Sequence, residues 1–283
     1  MKRRRFLRIA AAAGLVAASP ARAFRLQPVE WRGVAIGAPA SLTIDHEDRA
    51  EGLRLAQACM AEIERLEQVF SLYRESALVR LNRDGFLDTP PLDLVRLLGM
   101  ADRFRRATGG AFDPTVQPLW QLHARHFAQP GADPAGPPLH ELERARALVG
   151  WRDVAVDPAR IEFRRPGMAV TLNGIAQGYV TDKVADLLRR AGMRHVLVNM
   201  GEIAAIGRWR VGMPDGTARS LADRALAVSD PDGTRFSPLC HHIFDPASGR
   251  SAAGGGWVAA CADTAAEADA LSTAMAISGG GAR

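Results

Sequence analysis

The chain has no hydrophobic run long enough to span a bilayer, which takes about 20 apolar residues. Near the N-terminus an apolar stretch covers only Ile9 to Ala18. Lys2, Arg3, Arg4, Arg5 and Arg8 precede it, and the small residues Ala21 and Ala23 follow. That is the pattern of an export signal cleaved before Phe24. Paired arginines followed by Phe6-Leu7 point to the twin-arginine route. The expectation is therefore a signal at 1–23 and a single periplasmic domain at 24–283, with no membrane span after cleavage. The chain also lacks a lasting excess of one charge. Its net charge is +5, yet six of its 36 basic residues and none of its 31 acidic ones lie in the signal. What invites a nucleic-acid partner leaves with the signal, so none is expected. Cysteine is scarce: Cys59, Cys240 and Cys261 allow at most one disulfide, a Cys240–Cys261 pair included. Cys240 stands beside His241 and His242. No second Cys or His cluster at ligand spacing completes a zinc site. There is no Gly-x-Gly-x-x-Gly fingerprint, which excludes dinucleotide-fold binding of a nucleotide cofactor, and there is no internal repeat.

What is present is a succession of helical and strand periodicities. From Asp48, the residues Leu55, Cys59, Ile63, Leu66 and Phe70 recur at helical spacing and place Cys59 on a buried stripe. A second helix is predicted over Leu92 to Ala107, stopping at Gly109-Gly110, and a short one over Leu139 to Val149. Gln129 to Pro138 reads as a surface loop. Strand-like runs follow at Asp153–Asp157, Arg160–Arg164 and Gly167–Leu172, then a helix over Ala176–Arg190. Further strands are predicted at His195–Asn199, Trp209–Met213, Ala225–Ser229 and Trp257–Cys261, with a last helix from Thr264. Consecutive strands in some places and helical crossovers in others argue for an α+β domain, a mixed β-sheet packed with helices.

Four segments carry the chemistry: GGAFDPT at Gly109 to Thr115, TLNGIAQGY at Thr171 to Tyr179, HIFDPASGR at His242 to Arg250, and EADALST at Glu267 to Thr273. Each joins a small residue or glycine turn to carboxylates, amides or hydroxyls, the groups that hold phosphates and hard cations. TLNGIAQGY reads as glycine turn and helix start, where backbone N–H groups and the helix dipole face an anion. Asp269 and Thr273, four residues apart, share one helix face. In this order the segments resemble the ApbE family of FAD:protein FMN transferases, over nearly all of the chain beyond its first thirty residues or so.

The resemblance implies a magnesium ion held by Asp269, Thr273 and the backbone carbonyl of Gly174. It implies attack by a threonine hydroxyl of a partner flavoprotein on the FMN phosphorus of bound FAD, with release of AMP. His242 is either the base for that hydroxyl or a structural histidine bonded to a backbone carbonyl; Asp245 reads as a turn residue. Family position also assigns Ile36, Tyr73, Ala111, Phe112, Asp113, Thr171, Gln177 and Ile243 to FAD. Phe112 is alternatively core, and Asp113 alternatively a turn cap. Departures are visible. Relatives carry aspartate at 171 and lysine or glutamate at 177, and an Asn-x-Gly-Gly-Asp turn stands where this chain has Asn199-Met200-Gly201-Glu202. They also continue for one more helix and strand past the metal helix. Thr171, Asn173, Gln177 and the Met-Gly-Glu turn resemble the exported NosX-like subgroup associated with nitrous oxide reductase maturation, whose acceptor is a membrane electron-transfer flavoprotein. Two other activities share the same residues: an FAD pyrophosphatase giving FMN and AMP, and a flavin-binding maturation factor without turnover.

Overall fold

The computed structural model describes residues 27–279, and the expected signal lies outside them. The first elements are a hairpin absent from the expectations above, Gln27–Ala35 (β1) and Ala38–His46 (β2). Ala40, Leu42 and Ile44 turn inward while their neighbours are partly exposed, the period-2 signature of a half-buried strand. Ile36 and Gly37 close the hairpin with φ of 48° and 77°. A two-residue turn with both φ positive matches strand twist, and the cost falls on the β-branched Ile36.

Helix α1 (Arg49–Phe70) starts where Asp48 accepts from the Ala50 and Glu51 amides, and it buries the predicted stripe with Cys59 fully enclosed. The chain continues through α2 (Ala77–Asp84), β3 (Phe86–Asp88), α3 (Leu92–Ala107), α4 (Gln117–Phe127), α5 (Leu139–Arg146), β4 (Val154–Val156) and β5 (Arg160–Phe163). Then come α6 (Ala176–Arg190), β6 (Val196–Asn199), β7 (Ile203–Ile206), β8 (Arg208–Gly212), β9 (Ala218–Ala222), β10 (Ala225–Ser229), β11 (Val258–Ala262) and α7 (Ala265–Ile277). Helix α3 has the predicted bounds, whereas α2, α4, β7 and β9 have no counterpart in the sequence reading. No helix among the described residues is long and apolar enough to cross a membrane.

The main sheet has the order β1-β2-β6-β7-β10-β11. The α+β class holds, but each of the sheet's five pairings is antiparallel, so strand direction alternates across it and the pairing is not mixed. Adjacent strands are joined by hairpins or by long excursions that return the chain reversed. Small sheets β3-β5-β4 and β8-β9 stand apart from it. Residues 167–172 form no strand, which corrects one expectation. Their polar groups are met otherwise: the Asn82 amide bridges the Val170 N–H and C=O at 2.8 Å each, and the Thr171 N–H donates to the Pro114 carbonyl. One side-chain amide thus does for the segment what a neighbouring strand would do.

The principal core gathers Leu42 and Ile44 from β2, Leu66 from α1, Leu94 and Leu98 from α3, Val180 and Val184 from α6, and Val198 from β6. Helix α7 packs differently, burying Ala265, Ala266, Ala268, Ala270, Ala274 and Ala276. Its alanines permit an approach to α6 close enough that a Cβ on Gly178 would stand 2.3 Å from the Ala265 carbonyl oxygen. The three cysteines are unpaired thiols.

Candidate functional site

Helix α6 begins without a side-chain cap from its own N-cap residue, Ile175. The N–H of Gly178, third in the helix, donates to Asp269 Oδ2 at 3.1 Å. A helical N–H at that position would reach back to the Gly174 carbonyl, and no backbone hydrogen bond to that carbonyl accompanies the contact. Gly174 in turn lies against α7: a Cβ built on it would meet Thr273 Oγ1 at 2.8 Å and the Phe112 ring at 3.4 Å. The fold therefore brings together Gly174, Asp269 and Thr273, the three groups that the resemblance assigned to a cation. A carbonyl outside the helix pattern, a carboxylate and a hydroxyl are hard oxygen donors of the kind magnesium takes. Glycine at 174 is the residue that leaves room between them. No group of three or more His, Cys, Asp or Glu side chains in metal-binding arrangement occurs among the described residues, so any cation here would rely on carbonyl and hydroxyl oxygens as well.

The surroundings of Asp269 are acidic and dry. Burial pushes its pKa up to about 8 against the Gly178 N–H, which lowers it, and the charge of Asp182 raises it further. Glu202, buried in the turn after β6, is pushed well up by burial and by the charge of Asp269, with the Val228 N–H opposing at 3.3 Å. Both carboxyls favour the proton until a cation compensates them. Two residues unmarked in the sequence complete the wall: Ser229 Oγ lies 2.8 Å from Ser272 Oγ and 3.4 Å from Thr273 Oγ1. Ser229 stands at a predicted strand end and Ser272 within EADALST, but neither is marked there as a site residue, since the contact spans more than forty residues.

The Gln177 side chain abuts the Asn199–Glu202 turn. At Gly201, with φ of 105°, a Cβ would fall 2.8 Å from the Gln177 amide. Thr181 Oγ1 ties the same turn to α6, 2.8 Å from Gln177 O and 3.2 Å from Glu202 O. Two of the segments in which the sequence suggested departures, Gln177 and the Asn199–Glu202 turn, thus touch one another.

The remaining assignments separate into three places. Phe112 is buried in the principal core with its ring edge on Gly174, and Ala111 packs beside it. Asp113 accepts from Thr115 N–H and Oγ1, so it caps the turn at Pro114–Val116, and burial raises its pKa. The Thr171 hydroxyl accepts from the Asn173 N–H at 3.3 Å, closing the glycine turn. Ile36 and Tyr73 form a second group. Ile36 is buried with its N–H on Glu67 Oε1 at 2.8 Å, and the exposed Tyr73 ring covers Gly37, whose added Cβ would meet it at 2.9 Å. His242 and Ile243 form the third. Ile243 packs with Ala252, Val258 and Ala276, which sets this loop against the end of α7. His242 Nδ1 lies 3.1 Å from the Thr234 carbonyl. Asp245 accepts from the Ala247 and Ser248 amides and is a turn residue, as its sequence context implied. Cys240 Sγ faces the Pro134 and Ala135 carbonyls.

The fold resembles solved structures: the ApbE protein of Thermotoga maritima (TM-score 0.78, 27% identity, 89% of this chain and 88% of that one) and the apo flavinyl transferase ApbE of Pseudomonas stutzeri (0.76, 23%, 91% and 88%). Among sequences, it is 26% identical over 244 residues to an FAD:protein FMN transferase of Klebsiella pneumoniae (77% of this chain, 72% of that protein). It is 29% identical over 260 residues to one of Treponema pallidum (77% and 69%). The ApbE family pattern matches residues 36–282. With that span and with the fold in agreement, the chain belongs to the ApbE family.

Proposed function

We propose that this chain is a magnesium-dependent FAD:protein FMN transferase that moves FMN from FAD to a threonine hydroxyl of a periplasmic flavoprotein and releases AMP. The observation that carries the reading is the meeting of Gly174, Asp269 and Thr273 at the start of α6, within a family whose relatives bear that name. Magnesium bound there would neutralise charge on the pyrophosphate. Around it, the chain's own groups do the rest. The glycine turn and the first amides of α6 present N–H groups to an anion. Ser229 and Ser272 orient the Thr273 hydroxyl, and Gly178 holds one oxygen of Asp269 so that the other can turn outward. In the transfer, the threonine oxygen bonds to the FMN phosphorus and the phosphoanhydride bond breaks, its electron pair leaving with AMP. Its hydroxyl proton goes to His242. The Thr234 carbonyl, 3.1 Å from His242 Nδ1, orients the ring for that role.

Flavin contacts are assigned to Ile36, Tyr73, Ala111, Phe112, Asp113, Thr171, Gln177 and Ile243, with the exposed Tyr73 ring the surface open to stacking. The residue types at Thr171, Asn173, Gln177 and the Met200-Gly201-Glu202 turn are what support placing the chain in the NosX-like subgroup, with a membrane electron-transfer protein of the nitrous oxide reductase system as acceptor. Export through the twin-arginine route fits that acceptor, and the periplasmic protein should begin at Phe24 on N-terminal sequencing. Incubation with FAD, magnesium and a flavoprotein acceptor domain tests the activity. Covalent flavin fluorescence on the acceptor is expected. Free FMN without labelling would make the chain a pyrophosphatase, and unchanged bound FAD a flavin-binding maturation factor.

A further inference from the structure

Helices α6 and α7 cap each other. Asp269 of α7 accepts the otherwise unpaired N–H of Gly178 in the first turn of α6. Asp182 of α6 accepts the first two N–H groups of α7, from Ala265 at 2.7 Å and Ala266 at 3.0 Å. The third, from Glu267, goes to the α7 N-cap Thr264 at 3.2 Å. The contacts form a ladder with a rung each turn: Gly174 against Thr273, Gly178 against Asp269, Asp182 against Ala265. Each step forward along α6 by four residues is a step back along α7 by four. The helices are therefore antiparallel, and one axial register sets all three rungs.

That register decides where Asp269 and Thr273 stand relative to the Gly174 carbonyl. A slide of α7 by one residue, 1.5 Å, would remove both side chains from that carbonyl. Alanine packing supplies little to prevent it, because a face of methyl groups has no deep knobs to lock. Between α6 and α7 the directional contacts are the hydrogen bonds, and of these the Asp182 pair is the one not formed by an assigned ligand; on its sheet side α7 is also held by Ser229 at Ser272. Asp182 is itself partly buried between the helices, with burial pushing its pKa up to about 6 and the Ala266 and Ala265 amides holding it down. A carboxylate partly withdrawn from water is costly unless its hydrogen bonds are made.

We propose that Asp182 is a positioning residue of the cation site: by capping α7 across the helix interface it fixes the axial register that presents Asp269 and Thr273 to Gly174. The inference rests on the metal reading above. It concerns a residue that reaches the cation only through α7, in the way outer-shell partners orient metal ligands.

Magnesium titrated by calorimetry into the metal-free full-length chain tests it, with circular dichroism to establish folding at the titration temperature. Asp182→Ala should weaken magnesium about tenfold or more, as loss of outer-shell partners does. Asp182→Asn keeps one acceptor oxygen and should fall between the two. Hydrogen exchange of the 263–270 segment should quicken in the same order. Asp182→Ala or, should that variant fail to fold, Asp182→Asn, binding magnesium like the wild type while Asp269→Ala has lost it, would overturn the positioning role and leave the metal reading standing. A lowered melting temperature with unchanged magnesium affinity overturns it equally, since that marks a purely structural cap. Wild-type affinity in Asp269→Ala would remove the metal reading and this role with it.

Discussion

Gly178→Ala puts one methyl group where α6 and α7 touch, and the sign of its effect separates local from tertiary control. Helix propensity alone makes alanine better than glycine inside a helix by about 1 kcal/mol. The structure requires the opposite. The new Cβ would stand 2.3 Å from the Ala265 carbonyl oxygen, 2.5 Å from its carbon and 2.6 Å from Ala266 Cα. Ordinary contact begins near 3.4 Å, so the helices must part by about 1 Å, and because every clashing atom is backbone no rotamer change relieves it. Overpacking of this kind costs roughly 1–3 kcal/mol. Parting the helices also stretches the Gly178–Asp269 bond, and with Asp269 protonated near neutral pH in the absence of metal such a bond is worth about 0.5–1.5 kcal/mol. After the propensity gain the net loss is about 0.5–3.5 kcal/mol, or roughly 1–14 °C in Tm for a chain of this size. Thermal melts of the metal-free protein measure it, and calorimetric titration should show weakened magnesium. Gly99→Ala is the control: it lies in α3 with nothing within 4 Å of an added Cβ, and should be neutral or stabilising. A Gly178→Ala protein that melts at or above the wild-type temperature and binds magnesium normally would refute the close-packed interface and the site built on it.

Gln177→Ala should weaken FAD binding by about tenfold or less, since a neutral hydrogen bond contributes roughly 0.5–1.5 kcal/mol net. Gln177→Lys should retain FAD binding, and fluorescence titration of both variants checks the placement against the Gly201 turn. Asp269→Ala should abolish magnesium-dependent transfer while weakening FAD less, which activity assays and FAD titration resolve together. The pH dependence follows from the raised carboxyls, Asp269 up to about 8 and Asp182 up to about 6. A carboxyl with a raised folded pKa contributes stability that is present below its ordinary value near 4 and is lost as pH rises through the folded value. The metal-free protein should therefore lose Tm between about pH 4 and pH 8, and magnesium, which needs the carboxylate, should bind more tightly over the same range. In Asp269→Asn the upper part of that slope should flatten; a wild-type slope there would place the titration elsewhere.

Helix periodicity made α1 and α3 legible, with Cys59 on the buried stripe and the stop at Gly109-Gly110, because both depend on residues within one or two turns. The same locality explains the capping role of Asp113 and the turn at Asp245, where a side chain binds amides two or three positions ahead. The α6 start after Asn173-Gly174 was readable for that reason too. A strand over 167–172 was read wrongly because apolar residues there do face inward, yet the partner that satisfies Val170 is one side chain, Asn82, 88 positions away. Strand direction, too, was beyond reach, since pairing is set by where long connections return. The site residues could be named from the resemblance to the ApbE family, but their meeting depended on the contact of two helices. Gly178 reads in sequence as a poor helix former, and Asp182 as one more charge on a helix face. Only the antiparallel packing of α6 on the alanine face of α7 makes the first a point of closest approach and the second a cap for the other helix. Amides left unpaired at one helix start must be satisfied by whatever the fold brings beside them.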